Sequence, residues 1–325
     1  MNIRRRTLLA APAAWAAARG ATAQDAFPAK PIRFVIPSTA GSVSDAVARV
    51  YADAMAKTLK QPIVIDNMPG GETLLAVRHV AKARPDGYTL GISANTLVTL
   101  PYVNPAAGYA PRDFTGIAYL SKMPMALVVG ADAPYKTLAD LVAAAKAAPG
   151  ALAFGSVGVG TTSHIPVELF AHAAGIGLRL IPYKGIPLAI PDVSTGRVAL
   201  MMGTAPSVGE LIRAGRLRAL AITSEARSAS FPGVPTFAEL GYEESTYELF
   251  LGLVAPAKTP PAVLGLLSAA AEDAKKDPAV RQRLQALGQE LPAQSGAEPF
   301  NAFLRREEER MRKVVKDAMI RSTPN

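Results

Sequence analysis

Short β-branched runs alternate with amphipathic helical stretches along this chain, and the alternation occurs twice. In the first half, residues 31–37 form a proline-bounded strand, Ser44 or Asp45 caps a helix through Lys60, and residues 61–66 form a second strand. A turn at 67–71, a helix over 73–83 and a strand over 88–92 follow. The first helix places Val47, Val50, Tyr51, Ala54 and Leu59 mainly on one face, the pattern of a helix that covers a sheet. Strand–helix–strand spacing of this kind predicts parallel strands joined by helical crossovers.

The rhythm resumes with strands over 125–129 and 152–154 flanking a helix over 138–147. A loop of small and hydroxyl residues at 155–163 leads into a helix over 165–173. Further strands are expected over 179–182, 198–202 and 217–223, with a helix near 208–214. From Pro260 the chain reads as mostly helical, ending in a charged amphipathic helix over 298–316. The 325 residues divide into roughly two domains at about 150 residues each. No Gly/Ser-rich or Pro-rich tether separates them, so the chain is expected to cross between two α/β units more than once.

The formal charge of +9, from 35 Lys+Arg against 26 Asp+Glu, raises the question of a polyanionic partner. Arg4, Arg5 and Arg6 precede an apolar run over 7–18 and the small residues Ala21-Thr22-Ala23, the organisation of a secretory signal peptide. The run is too short to span a bilayer core of about 30 Å. Cleavage after Ala23 removes four arginines and no acid, leaving 302 residues with 31 basic against 26 acidic side chains, or +5. Arg5-Arg6-Thr7-Leu8-Leu9 loosely resembles a twin-arginine export signal, and general export fits equally well. Later, Arg305-Arg306 adjoins Glu307-Glu308-Glu309, a solvated helix face with i,i+4 pairs rather than a phosphate track, so no nucleic-acid partner is expected. The chain has no cysteine, which excludes disulfides, Cys zinc sites, iron–sulfur clusters and thiol nucleophiles.

Two matching loops carry the remaining chemistry, 37–45 in the first half and 155–163 in the second. Each follows a strand, is built of Gly, Ser and Thr, and opens a helix. Unpaired N–H groups and the positive end of a helix dipole favour anions there, so the loops are either a two-sided anion clamp or two ordinary capped turns. A dinucleotide fingerprint fails, because Ser163 replaces the third glycine after Gly158 and Gly160 and no acid lies between Leu169 and Pro191. A nucleophile elbow fails because Phe154 stands where its first glycine belongs. Of the three histidines, His164 reads as a helix-N-terminal polar residue and His79 as a solvated helix face. The eight-residue interval between His164 and His172 is not metal-ligand spacing. No metal or cofactor is expected.

At these residues the chain resembles the extracytoplasmic solute receptors of tripartite tricarboxylate transporters, the Bug family, from about Phe27 to Ala318. The marks are Lys30-Pro31-Ile32-Arg33, the P-x-x-x-G-x-x-x-D loop from Pro37 to Asp45, Asn67-x-Pro69-Gly70, and Pro85-Asp86-Gly87-Tyr88-Thr89-Leu90. They continue with Gly158-x-Gly160-Thr161 and His164, Pro182-Tyr183-Lys184-Gly185, the run from Ala214 to Ala221, Val234-Pro235-Thr236 with Glu239, and Gly252-Leu253-x-Ala255-Pro256-Ala257. The resemblance implies an α/β type II periplasmic binding protein fold. Its first domain would comprise 24–124 and 250–325 and its second 125–249, with a ligand cleft between. It implies a periplasmic, monomeric, non-enzymatic receptor that takes a small organic acid or acidic amino acid to membrane permease subunits. Position by position, it assigns ligand contacts to Ser38, Gly41, Ser42 and Asp45, then to Gly158, Gly160, Thr161, Thr162, His164 and Thr204. The alternatives kept open are a secreted hydrolase on a similar scaffold, with Ser163 and His164 as its test residues, and a receptor that presents ligand to a sensor. Departures from the family pattern at Ser42, Glu72, Gly203 and Phe250 are expected at or near the cleft, where Glu72 either repels a second carboxylate or faces solvent.

Overall fold

The first strand, β1 (Ile32–Ile36), has Ile32, Phe34 and Ile36 in one core and Val35 in another, and all four are buried. A parallel strand buried on both faces needs helices on both sides. The computed structural model describes residues 27–317, so the export signal expected over 1–23 lies outside the described residues. The chain continues through α1 (Val43–Leu59), β2 (Ile63–Asn67), α2 (Leu74–Ala81), β3 (Thr89–Ser93), α3 (Thr96–Val103) and β4 (Phe114–Met123). The cap of α1 is Ser42, whose hydroxyl accepts from Asp45 N at 3.2 Å, two or three residues earlier than the composition suggested.

Pro124 alone separates β4 from β5 (Met125–Gly130), which begins a second sheet. That unit continues with α4 (Leu138–Ala147), β6 (Ala153–Ser156), α5 (Ile165–Ala174), β7 (Arg179–Pro182), α6 (Ile186–Ser194), β8 (Leu200–Thr204), α7 (Ala205–Arg213) and β9 (Leu217–Ile222). The chain then returns to the first sheet as β10 (Leu249–Pro256) and finishes with α8 (Pro261–Lys276), α9 (Pro278–Ala286) and α10 (Ala297–Asp317).

The strand orders are β2-β1-β3-β10-β4 and β7-β6-β8-β5-β9. β1 is parallel to β2 and β3, and β6 is parallel to β7 and β8, as the alternation predicts. β10 runs antiparallel to β3 and β4, and β5 antiparallel to β8 and β9, so the sheets are mixed rather than wholly parallel. The reversed strands are those adjoining the passages between units.

In the first unit, α1 and α8 bury Val47, Tyr51, Met55 and Leu267 against one face of the sheet, while Val77, Val98 and Phe300 cover the other. The second sheet is covered similarly, with Leu141 and Phe170 on one face and Val193 and Val208 on the other. Ile165 and Leu169 of α5 join the first unit's cluster, tying the two halves together beside the second loop. Among the described residues no helix is long and apolar enough to cross a membrane.

Candidate functional site

The loop after β1 is held by its own side chains. Ser38 Oγ lies 2.7 Å from Ser42 Oγ and 2.6 Å from Ser44 Oγ. Gly41 takes φ +82°, a left-handed conformation that a β-carbon resists, and its N–H donates to Asp45 Oδ2 at 3.0 Å. The buried Asp45 carboxylate also accepts from Arg49 Nε and Nη2, at 2.9 and 3.0 Å, and from Asn67 Nδ2 at 3.0 Å. The same Asn67 amide donates to Ser38 O at 3.1 Å, closing the loop onto β2. The Arg49 guanidinium, helped by the Gly41 N–H and the Asn67 amide, overrides burial and lowers the Asp45 carboxyl from 3.8 to about 2. With these acceptors occupied, Asp45 shapes the loop. The N–H groups of Val43 and Ser44, at the start of α1, have no partner among the described residues.

The second loop repeats the plan with different chemistry. Ser156 Oγ lies 2.8 Å from Ser163 Oγ, and Ser163 Oγ accepts from Val157 N at 3.1 Å. Thr161 Oγ1 donates to Gly158 O at 2.7 Å. Gly160 N donates to His164 Nδ1 at 3.1 Å, which puts the neutral ring's proton on Nε2, 3.3 Å from Glu168 Oε1. The His164 ring stacks on Phe154 and is buried. Thr161 O accepts from both His164 N and Ile165 N. That leaves the N–H groups of Thr162 and Ser163 unpartnered among the described residues, just before α5.

A cavity of about 330 Å³ lies where these elements meet. Ser44 of the first loop, Thr162 of the second and Thr204 at the end of β8 line it, together with Asn95 and Gln289. Its apolar wall includes Met123 at the end of β4 and Leu249, Phe250 and Leu251 of β10. Of the ten residues expected to contact ligand, Thr162 and Thr204 line this cavity directly. Ser38, Gly41, Ser42 and Asp45 build the first loop beneath it, and Gly158, Gly160, Thr161 and His164 build the second. A β-carbon at Gly160 would stand 3.1 Å from Val103 Cγ2, so this loop presses against α3.

Sequence reasoning missed Asn95, Met123 and Gln289, which sit at the start of α3, at the unit crossing and after α9. A signal existed only for β10, through the Gly252-Leu253 mark. Two of the expected cleft departures, Gly203 and Phe250, are governed by packing. A β-carbon at Gly203 would meet Val208 Cγ1 at 2.4 Å, so position 203 is closed to any larger side chain unless Val208 moves. The Phe250 ring packs edge-on against Tyr119, Phe300 and Phe303, while its N–H donates to Asn95 Oδ1 at 3.1 Å. It anchors the cavity wall to the core. The side chain of Glu72 lies outside the described residues. His79 and His172 are exposed, and no group of three or more His, Asp or Glu side chains among the described residues could hold a metal.

Comparison with known proteins adds independent information. A family model described as "Tripartite tricarboxylate transporter family receptor" matches residues 47–320. Protein BugT of Bordetella pertussis is 34% identical over 296 residues, 90% of each chain. A TctC solute-binding protein from Polaromonas, solved without ligand, superposes with a TM-score of 0.81 at 27% identity, covering 90% of this chain and 99% of that one. MatC from Rhodopseudomonas palustris, solved with bound malate, gives 0.72 at 30% identity over 89% and 100% of the two chains.

Proposed function

The chain belongs to the tripartite tricarboxylate transporter receptor family, and on that premise we propose that it captures a small organic carboxylate in the cavity between its two sheets and delivers it to the permease subunits of such a transporter. One observation carries the reading. Two βα loops from different sheets border a single cavity, and each has N–H groups that no other protein atom uses among the described residues. Preorganised N–H donors at helix starts hold a carboxylate without a cationic side chain. In this reading Val43, Ser44, Thr162 and Ser163 supply N–H donors and Ser44, Thr162 and Thr204 supply hydroxyls. Ser38, Gly41, Ser42, Asp45, Gly158, Gly160, Thr161 and His164 hold those donors in place.

The exported form begins near residue 24 and acts in the periplasm as a monomer. Residues 24–124 with 250–325 form one domain and 125–249 the other, closing over the acid at the two passages between them. The malate named for MatC supports the carboxylate class. A hydrolase would need His164 to reach a serine hydroxyl, whereas its Nδ1 accepts from Gly160 and its Nε2 faces Glu168.

A thermal-shift screen of mono-, di- and tricarboxylates, aromatic acids and acidic amino acids tests the proposal. At least one acid is expected to raise the melting temperature, and Asp45→Ala and Thr161→Ala are each expected to weaken its binding. A folded protein that responds to no acid overturns the function. Unchanged affinity in both variants overturns the assignment of the loops.

A further inference from the structure

We infer that Asn95 and Gln289 read the far end of the bound acid, through one side-chain N–H each, and so select a ligand that carries an oxygen acceptor there. This assignment rests on the receptor reading and refines it. Both residues line the cavity and both are almost fully buried, Asn95 at 2% exposure and Gln289 at 6%. In each, the side-chain oxygen is taken by the protein. Asn95 Oδ1 accepts from Phe250 N at 3.1 Å, and Gln289 Oε1 accepts from Ser121 Oγ at 2.8 Å. Asn95 Nδ2 donates to Glu248 O at 2.9 Å, and Gln289 Nε2 donates to Leu287 O at 3.5 Å. A backbone N–H can only donate and a backbone carbonyl can only accept, so the oxygen and nitrogen ends of both amides are fixed. Each amide nitrogen carries a second N–H, and neither finds a protein acceptor among the described residues.

Their place on the sheet sets them apart from the loops. The first loop follows β1, whereas Asn95 is bonded to the start of β10 and Gln289 to β4. The order β1-β3-β10-β4 puts those strands two and three positions from β1, roughly 10–15 Å away at about 4.8 Å per strand. Gln289 also adjoins the second unit. A β-carbon at the preceding Gly288 would stand 2.8 Å from Pro206 Cγ, and Pro206 lines the same cavity. One carboxylate held by the loop N–H groups therefore leaves the amides to another part of the same ligand. A buried N–H without an acceptor is costly, and closure around a wholly apolar tail would strand both. A carboxylate or carbonyl oxygen satisfies them without a cation, as a carboxylate is held at the loops. Met123, Leu249 and Leu251 would then pack against the hydrocarbon between the two ends.

Calorimetric titration of the purified chain with matched acids tests the assignment. Each set holds a dicarboxylate, the methyl ketone in which a methyl group replaces one oxygen of its second carboxylate, and the alkanoate with no far oxygen. Glutarate, 5-oxohexanoate and hexanoate form one set, and succinate and adipate head the sets on either side of it. At the length that binds best, diacid and keto acid are each expected to bind at least about tenfold more tightly than the alkanoate. An alkanoate as tight as either of them overturns the assignment and leaves the receptor reading standing. Gln289→Glu keeps the oxygen that accepts from Ser121 and loses the N–H donors, so the diacid's advantage over the alkanoate should fall by about tenfold or more. Gln289→Met removes the donors without adding charge and should narrow the advantage of the keto acid as well. A folded variant of either kind that keeps the wild-type ratios overturns the assignment. If no acid binds the folded chain, the receptor reading falls and takes the assignment with it.

Discussion

The Asp45 carboxylate accepts four hydrogen bonds, from Gly41, twice from Arg49 and from Asn67, and through them one side chain fixes the first loop to α1 and β2. Its pH behaviour follows from the same contacts. The folded value of about 2 lies below the ordinary 3.8, so ionised Asp45 stabilises the fold above the unfolded value. That contribution, at most about 2 kcal/mol given the half-exposed Arg49, is lost as pH falls from about 5 to 2. Melting temperatures from pH 7 to 2 should show wild type losing more stability over the acid interval than Asp45→Asn, which starts lower. Parallel curves for the two proteins would remove Asp45 from this role. The sequence marks Asp45 through the P-x-x-x-G-x-x-x-D pattern, yet that pattern does not distinguish a ligand contact from a loop brace. The distinction lies in Asn67, 22 residues away, and in Arg49 one helical turn on.

At the scale of elements, β4 and β10 share a packing device with α10. Phe300 of α10 is fully buried over two strand glycines. A β-carbon at Gly252 would come within 2.0 Å of Phe300 Cζ, and one at Gly116 within 2.6 Å of Phe300 Cδ1. Beside them, Asn301 Oδ1 accepts from Gly116 N and Asn301 Nδ2 donates to Gly116 O, both at 2.8 Å. The side-chain amide thus satisfies backbone groups on the edge strand β4, which an open edge would otherwise present to another chain. Gly252→Ala should push Phe300 and α10 outward and destabilise the protein by about 1–3 kcal/mol, read as a lower urea midpoint at an unchanged slope. An unchanged midpoint would show that Phe300 has room to yield. Neither β4 nor β10 is legible from hydrophobic periodicity, and β10 is marked only by its Gly252-Leu253 motif, because strands buried on both faces lack the polar alternation that marks a half-exposed strand. α3 and α6 are equally hidden, since Pro101 and Pro191 inside them read as breakers.

Across the whole molecule, the two sheets communicate through neighbouring passages, one at Pro124 and one along 223–248. Thr223 pairs with Met125 through N–H to O at 2.9 Å, and Met125 N donates to Thr223 Oγ1 at 3.0 Å, so the two passages are bonded side by side. Lys122 and Glu248 form an ion pair across them, and Glu290 links both units. Its backbone exchanges hydrogen bonds with Lys122, and its carboxylate accepts from the Ser228 and Ser230 hydroxyls. A ligand that engages both loops should bring the sheets together about this narrow bridge. At about 100-fold its dissociation constant it should add about 2.7 kcal/mol to stability and reduce the radius of gyration in small-angle X-ray scattering. Stabilisation with no change in scattering would indicate a cleft already closed before binding.

The sequence by itself determined what short-range physics controls. Strand and helix periodicity, the two Gly/Ser/Thr loops at helix starts and the ordered family marks were all legible in it, because each depends on residues within a turn or two of one another. Only the tertiary structure decided the cavity's wall. Met123, Asn95, Leu249 and Gln289 come from four separate places in the chain, and no local pattern records which of them will face a common space. It also decided that His164 and Asp45 spend their polar atoms on the loops, since hydrogen-bond partners are set by folding. The charge of +9 suggested an anionic partner. The described lining of the cavity carries no charged side chain, so the net charge of the chain does not report the chemistry of that wall.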